Sequence, residues 1–229
     1  MEIALVLLAV APAIAIMWFI YHKDRYEREP LRYLVLAFLV GVISVFPASY
    51  GADWMEMRVS GSVGTWAETL VYAFIVIALS EELMKFLFLR FYMYRKDAFN
   101  EPIDGIVYGV MIGMGFACFE NIFYVLDGGV RTALIRMFTA VPAHAVFGLV
   151  MGYYVGKAKY FPEKSASYTA KAFLVPYFLH GMYDFLLFQD SYPLLGLGAF
   201  LGLLISIRYA FKMIKEQQDA SPFKPPQAS

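Results

Sequence analysis

The apolar runs decide what this chain can fold into. About seven of them reach the length of a membrane span, at roughly residues 2–22, 32–50, 66–90, 104–126, 133–156, 170–189 and 193–214. Lipid offers no hydrogen bonds to the backbone, so runs of this length read as helices. The expected fold is therefore all-α: a polytopic membrane bundle of about seven transmembrane helices over residues 1–215, with a disordered cytoplasmic tail at 216–229. With 60% hydrophobic residues, no polar stretch is long enough to enclose a soluble core. The formal net charge is zero, which removes any bulk electrostatic case for nucleic acid. The first run is not read as a signal peptide, because only Met1 and Glu2 precede it and neither is basic. The single cysteine, Cys118, excludes a disulfide framework.

Basic residues fall on alternate connections. Lys23, Arg25, Arg28 and Arg32 come after the first run, Arg90, Arg95 and Lys96 after the third, and Lys157, Lys159, Lys164 and Lys171 after the fifth. Lys212, Lys215 and Lys224 lie at the C-terminal end. The other connections carry only Arg58 in one and Arg131 with Arg136 in another. The positive-inside rule then places the N-terminus outside and the C-terminus in the cytoplasm. Trp54 and Trp66, in the stretch between the second and third runs, read as anchors at the outer interface.

Ionisable groups interrupt these runs at a few places. Glu81, Glu82 and Lys85 stand in the third, where a single charge costs roughly 2.5–3.5 kcal/mol on insertion scales. The fourth carries Phe116 and Glu120, four apart on one helix face, then Asn121. Its Gly105, Gly109 and Gly113 form a seam where another helix packs closely. The fifth has His144 beside Pro142, which is expected to kink its helix. In the sixth, His180 and Asp184 share a face, a spacing that suits an acid orienting an imidazole or two ligands on one metal.

Depth links these groups. At about 1.5 Å per residue, Glu81 and Glu82 lie roughly 12–14 Å from Arg90, and His180 about 14 Å from Lys171. Asp184 and His144 lie about 20 Å from Lys171 and Lys157, and Glu120 about 24 Å from Asp104. All fall between the midplane and the outer leaflet. An inventory of acids, imidazoles and a lysine at one level supports hydrolysis by activated water. The same inventory serves proton-coupled transport.

These motifs, in this order, resemble the PrsW family of intramembrane proteases: EExxK at Glu81-Glu82-Lys85, FxxxE at Phe116-Glu120 and HxxxD at His180-Asp184. DRYEREP at Asp24–Pro30, DGIVYG at Asp104–Gly109, ENIFY at Glu120–Tyr124 and the Arg136 to His144 segment are similar to it as well. The wider CAAX-protease and bacteriocin-processing group usually has arginine one position after the place of Lys85. The resemblance implies a glutamic-type or metal-dependent endopeptidase of the bacterial cytoplasmic membrane. It also implies single-span substrates of the anti-sigma-factor type, cut near the outer side, with a stress response downstream.

On this reading Glu81 or Glu82 is the general base, Glu120 a second acid, Asp184 the orienter of His180, and His144 a transition-state donor. Lys85 and Asn121 are supporting residues. A metal variant assigns zinc to Glu120, His144, His180 and Asp184. The rival expectations are a proton-coupled transporter or receptor and a non-catalytic scaffold. A protease needs a lateral gap for a substrate helix, whereas a transporter needs alternating openings.

Overall fold

The computed structural model describes residues 2–59, 65–189, 192 and 194–225. Among these no strand occurs, and the helices pack into one bundle. They are α1 (Glu2–Lys23), α2 (Leu31–Val59), α3 (Trp66–Val71), α4 (Leu79–Phe91), α5 (Pro102–Phe138), α6 (Ala140–Tyr160), α7 (Ser165–Leu187) and α8 (Leu194–Asp219). A π-helical stretch, Tyr72–Ala78, joins α3 to α4 without a break. By length and composition four segments can cross a membrane: Glu2–Lys23, Leu31–Val59, Pro102–Tyr160 and Leu194–Asp219.

Helix α5 is the axis of the bundle. Its glycines let two neighbours approach to backbone contact. A Cβ added at Gly109 would lie 2.2 Å from the Gly148 carbonyl oxygen, and one at Gly152 would lie 1.9 Å from that of Gly105. On the opposite face a Cβ at Gly115 would lie 2.0 Å from the Phe38 carbonyl oxygen. The expected seam at Gly105, Gly109 and Gly113 is thus half of a reciprocal one, its partners on α6 being Gly148, Gly152 and Gly156. Van der Waals contact at this range substitutes for the hydrophobic drive that lipid does not supply.

Several boundaries differ from those expected. Helix α2 continues past residue 50 to Val59, and the Arg58 guanidinium closes it by lying 3.6 Å over the Trp54 ring. Residues 60–64, also expected to be loop, lie outside the described residues. The break between the fourth and fifth runs is a kink at Gly129, whose φ of 69° favours glycine. Beyond it, residues 130–138 form a further helical stretch, and a second break comes at Thr139. Pro142 therefore sits in the first turn of α6, where its missing N–H removes no helical bond, and it produces no kink. At the C-terminal end, α8 extends through 216–219 because Glu216 pairs with Lys157 at 2.5 Å and Gln217 donates to the Tyr153 carbonyl. Residues 226–229 of the expected tail lie outside the described residues.

The α1–α2 connection is pinned to the start of α5 by buried acids. The Glu29 amide donates to Asp24 Oδ2 at 2.9 Å, and the Tyr108 hydroxyl donates to Glu29. Burial pushes the Asp24 carboxyl up to about 7, with Glu101 and Glu29 adding repulsion against the opposing effect of that amide. Burial likewise raises Glu29 to about 7.

Packing and charge each give a testable outcome. Gly109→Val drives α5 and α6 apart and costs about 1–3 kcal/mol or more, read as a lower thermal midpoint in detergent. Gly202→Ala, where an added Cβ meets nothing within 4 Å, leaves that midpoint in place. The raised acids mean the folded chain holds protons that the unfolded chain has released between about pH 4 and pH 7. Stability is then fullest below the unfolded values and falls as pH rises through the folded ones. The Asp24→Asn/Glu29→Gln variant flattens the decline in midpoint between about pH 4 and pH 7.

Candidate active site

The π-helical stretch ends three residues before Glu81. Such insertions widen one turn and rotate the residues beyond it, and they recur at functional sites. Phe74 on this stretch fills the notch at Gly181 of α7, where an added Cβ would meet its ring at 2.5 Å. This contact sets α4 against α7 one helical step from His180. Nothing in the apolar sequence YAFIVIA marks the π turn.

The expected polar residues meet in one chain of hydrogen bonds and ion pairs. Asp184 Oδ2 lies 3.2 Å from His180 Nε2, and His180 Nδ1 lies 2.9 Å from Glu82 Oε1. The Lys85 ammonium donates to that same Glu82 oxygen at 2.9 Å, to Glu81 Oε2 at 3.0 Å and to His144 Nδ1 at 3.2 Å. His144 Nε2 lies 3.2 Å from Glu120 Oε2. Arg136 then donates from one amino group to Glu120 Oε2 at 2.7 Å and from Nε to Asn121 Oδ1 at 2.6 Å. Asn121 Nδ2 finally donates to the Ala9 carbonyl of α1 at 2.8 Å. Five helices are tied together by side chains that lipid cannot satisfy.

The bonds assign donors. Because the ammonium donates to His144 Nδ1, that nitrogen carries no hydrogen, and Nε2–H donates to Glu120. His180 faces a carboxylate oxygen at each nitrogen, an arrangement satisfied when both donate. Its ring stacks on Phe147 at 4.8 Å and 20°. Phe116, one turn before Glu120, lies under the Lys85 ammonium at 3.9 Å, which gives the FxxxE spacing its physical sense.

A cavity of about 670 Å³ opens onto this chain of bonds. Glu81, Glu120, Arg136, His144, His180 and Asp184 line it. Glu82, Lys85 and Asn121 are not among the lining residues. The adjacent glutamates thus divide: the Glu81 side chain is 12% exposed and faces the cavity, whereas Glu82 is fully buried. The wall includes Phe46, Phe123, Tyr124 and Ile135, each also exposed on the outside of the bundle. The cavity therefore reaches the lateral surface between α2 and the far half of α5.

Two features depart from the sequence expectations. Arg136 reads as a connecting charge, yet the Gly129 kink turns it back onto Glu120. Asp53 and Glu56 line the cavity mouth because α2 continues where a loop is expected. The possible metal ligands also differ from the expected set. Among the described residues, the His/Cys/Asp/Glu group whose ligand atoms lie within 4.8 Å of one another is Glu81, Glu82 and His144. It shares only His144 with the set Glu120, His144, His180 and Asp184. The donor types suit a divalent ion; as arranged, the Lys85 ammonium bonds all three residues, so an ion held by Glu81, Glu82 and His144 would take the place of that ammonium.

Carboxylates and imidazoles held inside membrane helices, beside a laterally open cavity, are what a multi-pass intramembrane hydrolase requires. The family described as PrsW family intramembrane metalloprotease matches residues 29–211. The chain belongs to this family of intramembrane proteases. It is 38% identical over 225 residues to Protease PrsW of Geobacillus kaustophilus, covering 98% of this chain and 96% of that one. It is 35% identical over 185 residues to Protease PrsW of Bacillus subtilis, covering 80% and 83%. Against Protease PrsW of Clostridioides difficile it is 36% identical over 194 residues, covering 82% and 80%. No solved structure matches the chain.

Removing the cation at the centre tests the network. Lys85→Met strands buried carboxylates and costs about 3–5 kcal/mol, seen as loss of monodisperse protein on detergent extraction. Adding Glu82→Gln to Lys85→Met recovers part of that loss, because one uncompensated charge is gone.

Proposed function

We propose that the chain is a seven-span endopeptidase that cuts single-span membrane proteins of the anti-sigma-factor type near the outer face of a bacterial cytoplasmic membrane. The alternating basic connections support an outside N-terminus and a cytoplasmic C-terminus. The observation that carries the mechanism is the division of the glutamate pair. Glu81 faces the cavity and acts as the base; Glu82 is sealed behind it and fixes Lys85 and His180. The lateral opening favours a protease over a transporter, since a substrate helix enters from lipid.

In this mechanism Glu81 takes a proton from water as the oxygen attacks the scissile carbonyl carbon. The carbonyl π electrons move to its oxygen, which becomes negative. Arg136 lines the same wall and has N–H groups beyond the two it spends on Glu120 and Asn121, and these receive the developing charge. Glu81 then returns its proton to the leaving nitrogen as the C–N bond breaks. His144, with both nitrogens engaged, serves to align Glu120 and Lys85 instead of meeting substrate. Asp184 orients His180, and His180 holds Glu82. Lys85 holds the pair close, in the place a metal would take in the alternative reading through Glu81, Glu82 and His144.

The test is cleavage of a single-span reporter by protein reconstituted in vesicles, together with the protein's metal content. Glu81→Gln lowers the rate by about 10²–10⁴ while the protein still inserts, its remaining amide oxygen still accepting from Lys85. Wild type retains full activity after chelator treatment and carries no stoichiometric metal. An active Glu81→Gln variant removes this base, and one equivalent of a divalent ion lost together with activity establishes the metal reading. In cells, new N-termini near the outer edge of single-span proteins, present with wild type and absent with Glu81→Gln, identify the substrate.

A further inference from the structure

Away from this site, two cavities meet along the groove between α1 and α8. One, about 240 Å³, is lined solely by apolar side chains, among them Phe19 and Ile20 of α1, Leu149 of α6, and Ile207 and Ala210 of α8. The other, about 280 Å³, lies at the basic end of the bundle and is lined by Lys23, Arg25, Tyr26, Lys215, Gln218 and Asp219. Phe211 and Ile214 line both, so the apolar cavity lies directly beside the basic one. Gln218 holds the mouth together by donating to the Lys23 carbonyl.

Cations outnumber acids at the mouth. Among the described residues, Lys23, Arg25 and Lys215 have no carboxylate within 4.0 Å; the acid that shares the lining, Asp219, pairs with Lys224 at 2.5 Å and attracts Lys215 at longer range. Lys23 rests instead on the Phe19 ring at 5.1 Å, at the junction of the two cavities. Unpaired cations at the end of membrane helices, over a slot that admits only apolar atoms, call for a ligand with an anionic head and a hydrocarbon tail. Basic pockets between transmembrane helices have this selectivity for anionic lipid heads.

We propose that this groove binds one anionic phospholipid, its phosphate against Lys23, Arg25 and Lys215 and an acyl chain along α1, α6 and α8. Charge complementarity selects the lipid over a neutral one, and the apolar slot selects it over a free phosphate. The bound lipid bridges the first helix and the last, which Gln218 ties by a polar side chain at the mouth.

The experiment uses the full chain, delipidated in neutral detergent. Its thermal midpoint is followed with phosphatidylglycerol, with phosphatidylcholine of the same chains, and with inorganic phosphate. Phosphatidylglycerol is expected to raise the midpoint by about 3 °C or more over the other two. Lys23→Gln/Arg25→Gln/Lys215→Gln, all at the aqueous end, is expected to lose that gain. An equal rise with phosphatidylcholine, an equal rise with inorganic phosphate, or a gain retained in the triple variant overturns the proposal. Should the triple variant not fold, photoactivatable phosphatidylglycerol on wild type decides: labelling on α1 and α8 at the groove supports the site, and labelling elsewhere overturns it.

Discussion

The structure depends on one buried ammonium. Lys85 has no route to water, and a cation in that position survives only where its three hydrogens meet acceptors of compensating charge. It meets Glu81 and Glu82 on its own helix and His144 on α6. From these three contacts the rest of the network is determined. His144 must donate from its other nitrogen, which requires Glu120 of α5. Glu120 then requires Arg136, and Glu82, having given one oxygen to Lys85, shares that oxygen with His180 of α7. A lysine in a lipid span is thus the hub through which four helices acquire fixed positions, and its cost in isolation is what makes the arrangement specific.

Helix packing supplies the distances this network needs. The glycine seam allows α6 to approach α5 so closely that a Cβ at Gly113 would lie 2.7 Å from the carbonyl oxygen of His144 itself. The imidazole can then reach both Glu120 on α5 and Lys85 on α4. On the other side, the fit of Phe74 into the Gly181 notch holds α7 against the π-helical stretch. Glycine contact and π turn are backbone devices; they place side chains without contributing any polar group of their own.

The polar residues of the site are legible in the sequence because charge stands out in an apolar run, and helical spacing pairs Phe116 with Glu120 and His180 with Asp184. Shared depth brings together groups from separate helices. The features that escape a sequence reading are those that depend on local backbone geometry. Arg136 looks like a loop charge because nothing around Gly128-Gly129 reveals that the chain kinks and continues as a helix. Asp53 and Glu56 look like loop because Gly51 and the polar residues after it resemble a helix end, yet α2 simply runs on. Pro142 looks like a kink because apolarity alone places the start of its helix too early by several residues. Nor does residue type disclose which of two adjacent acids faces water.

That last distinction bears on how a pair of neighbouring glutamates works at all. Side chains one residue apart on a helix diverge by about 100°, so a single cavity receives one of them. Here the exposed member keeps one oxygen on Lys85 and presents the carboxylate to solvent, and the sealed member orders the cation and an imidazole behind it. The two acids are not redundant copies: one lines the cavity, and the other is sealed behind it on Lys85 and His180; the proposed mechanism uses the first as base and the second as its support. A metal bound by the same three residues would have to displace the ammonium that now organises them. The chain would then need a new acceptor set for Lys85 within an apolar core, and among the residues surrounding it Glu82 Oε2 is the buried oxygen left without a partner. One free oxygen does not satisfy an ammonium, so the present seat of Lys85 and an ion held by these three residues exclude one another.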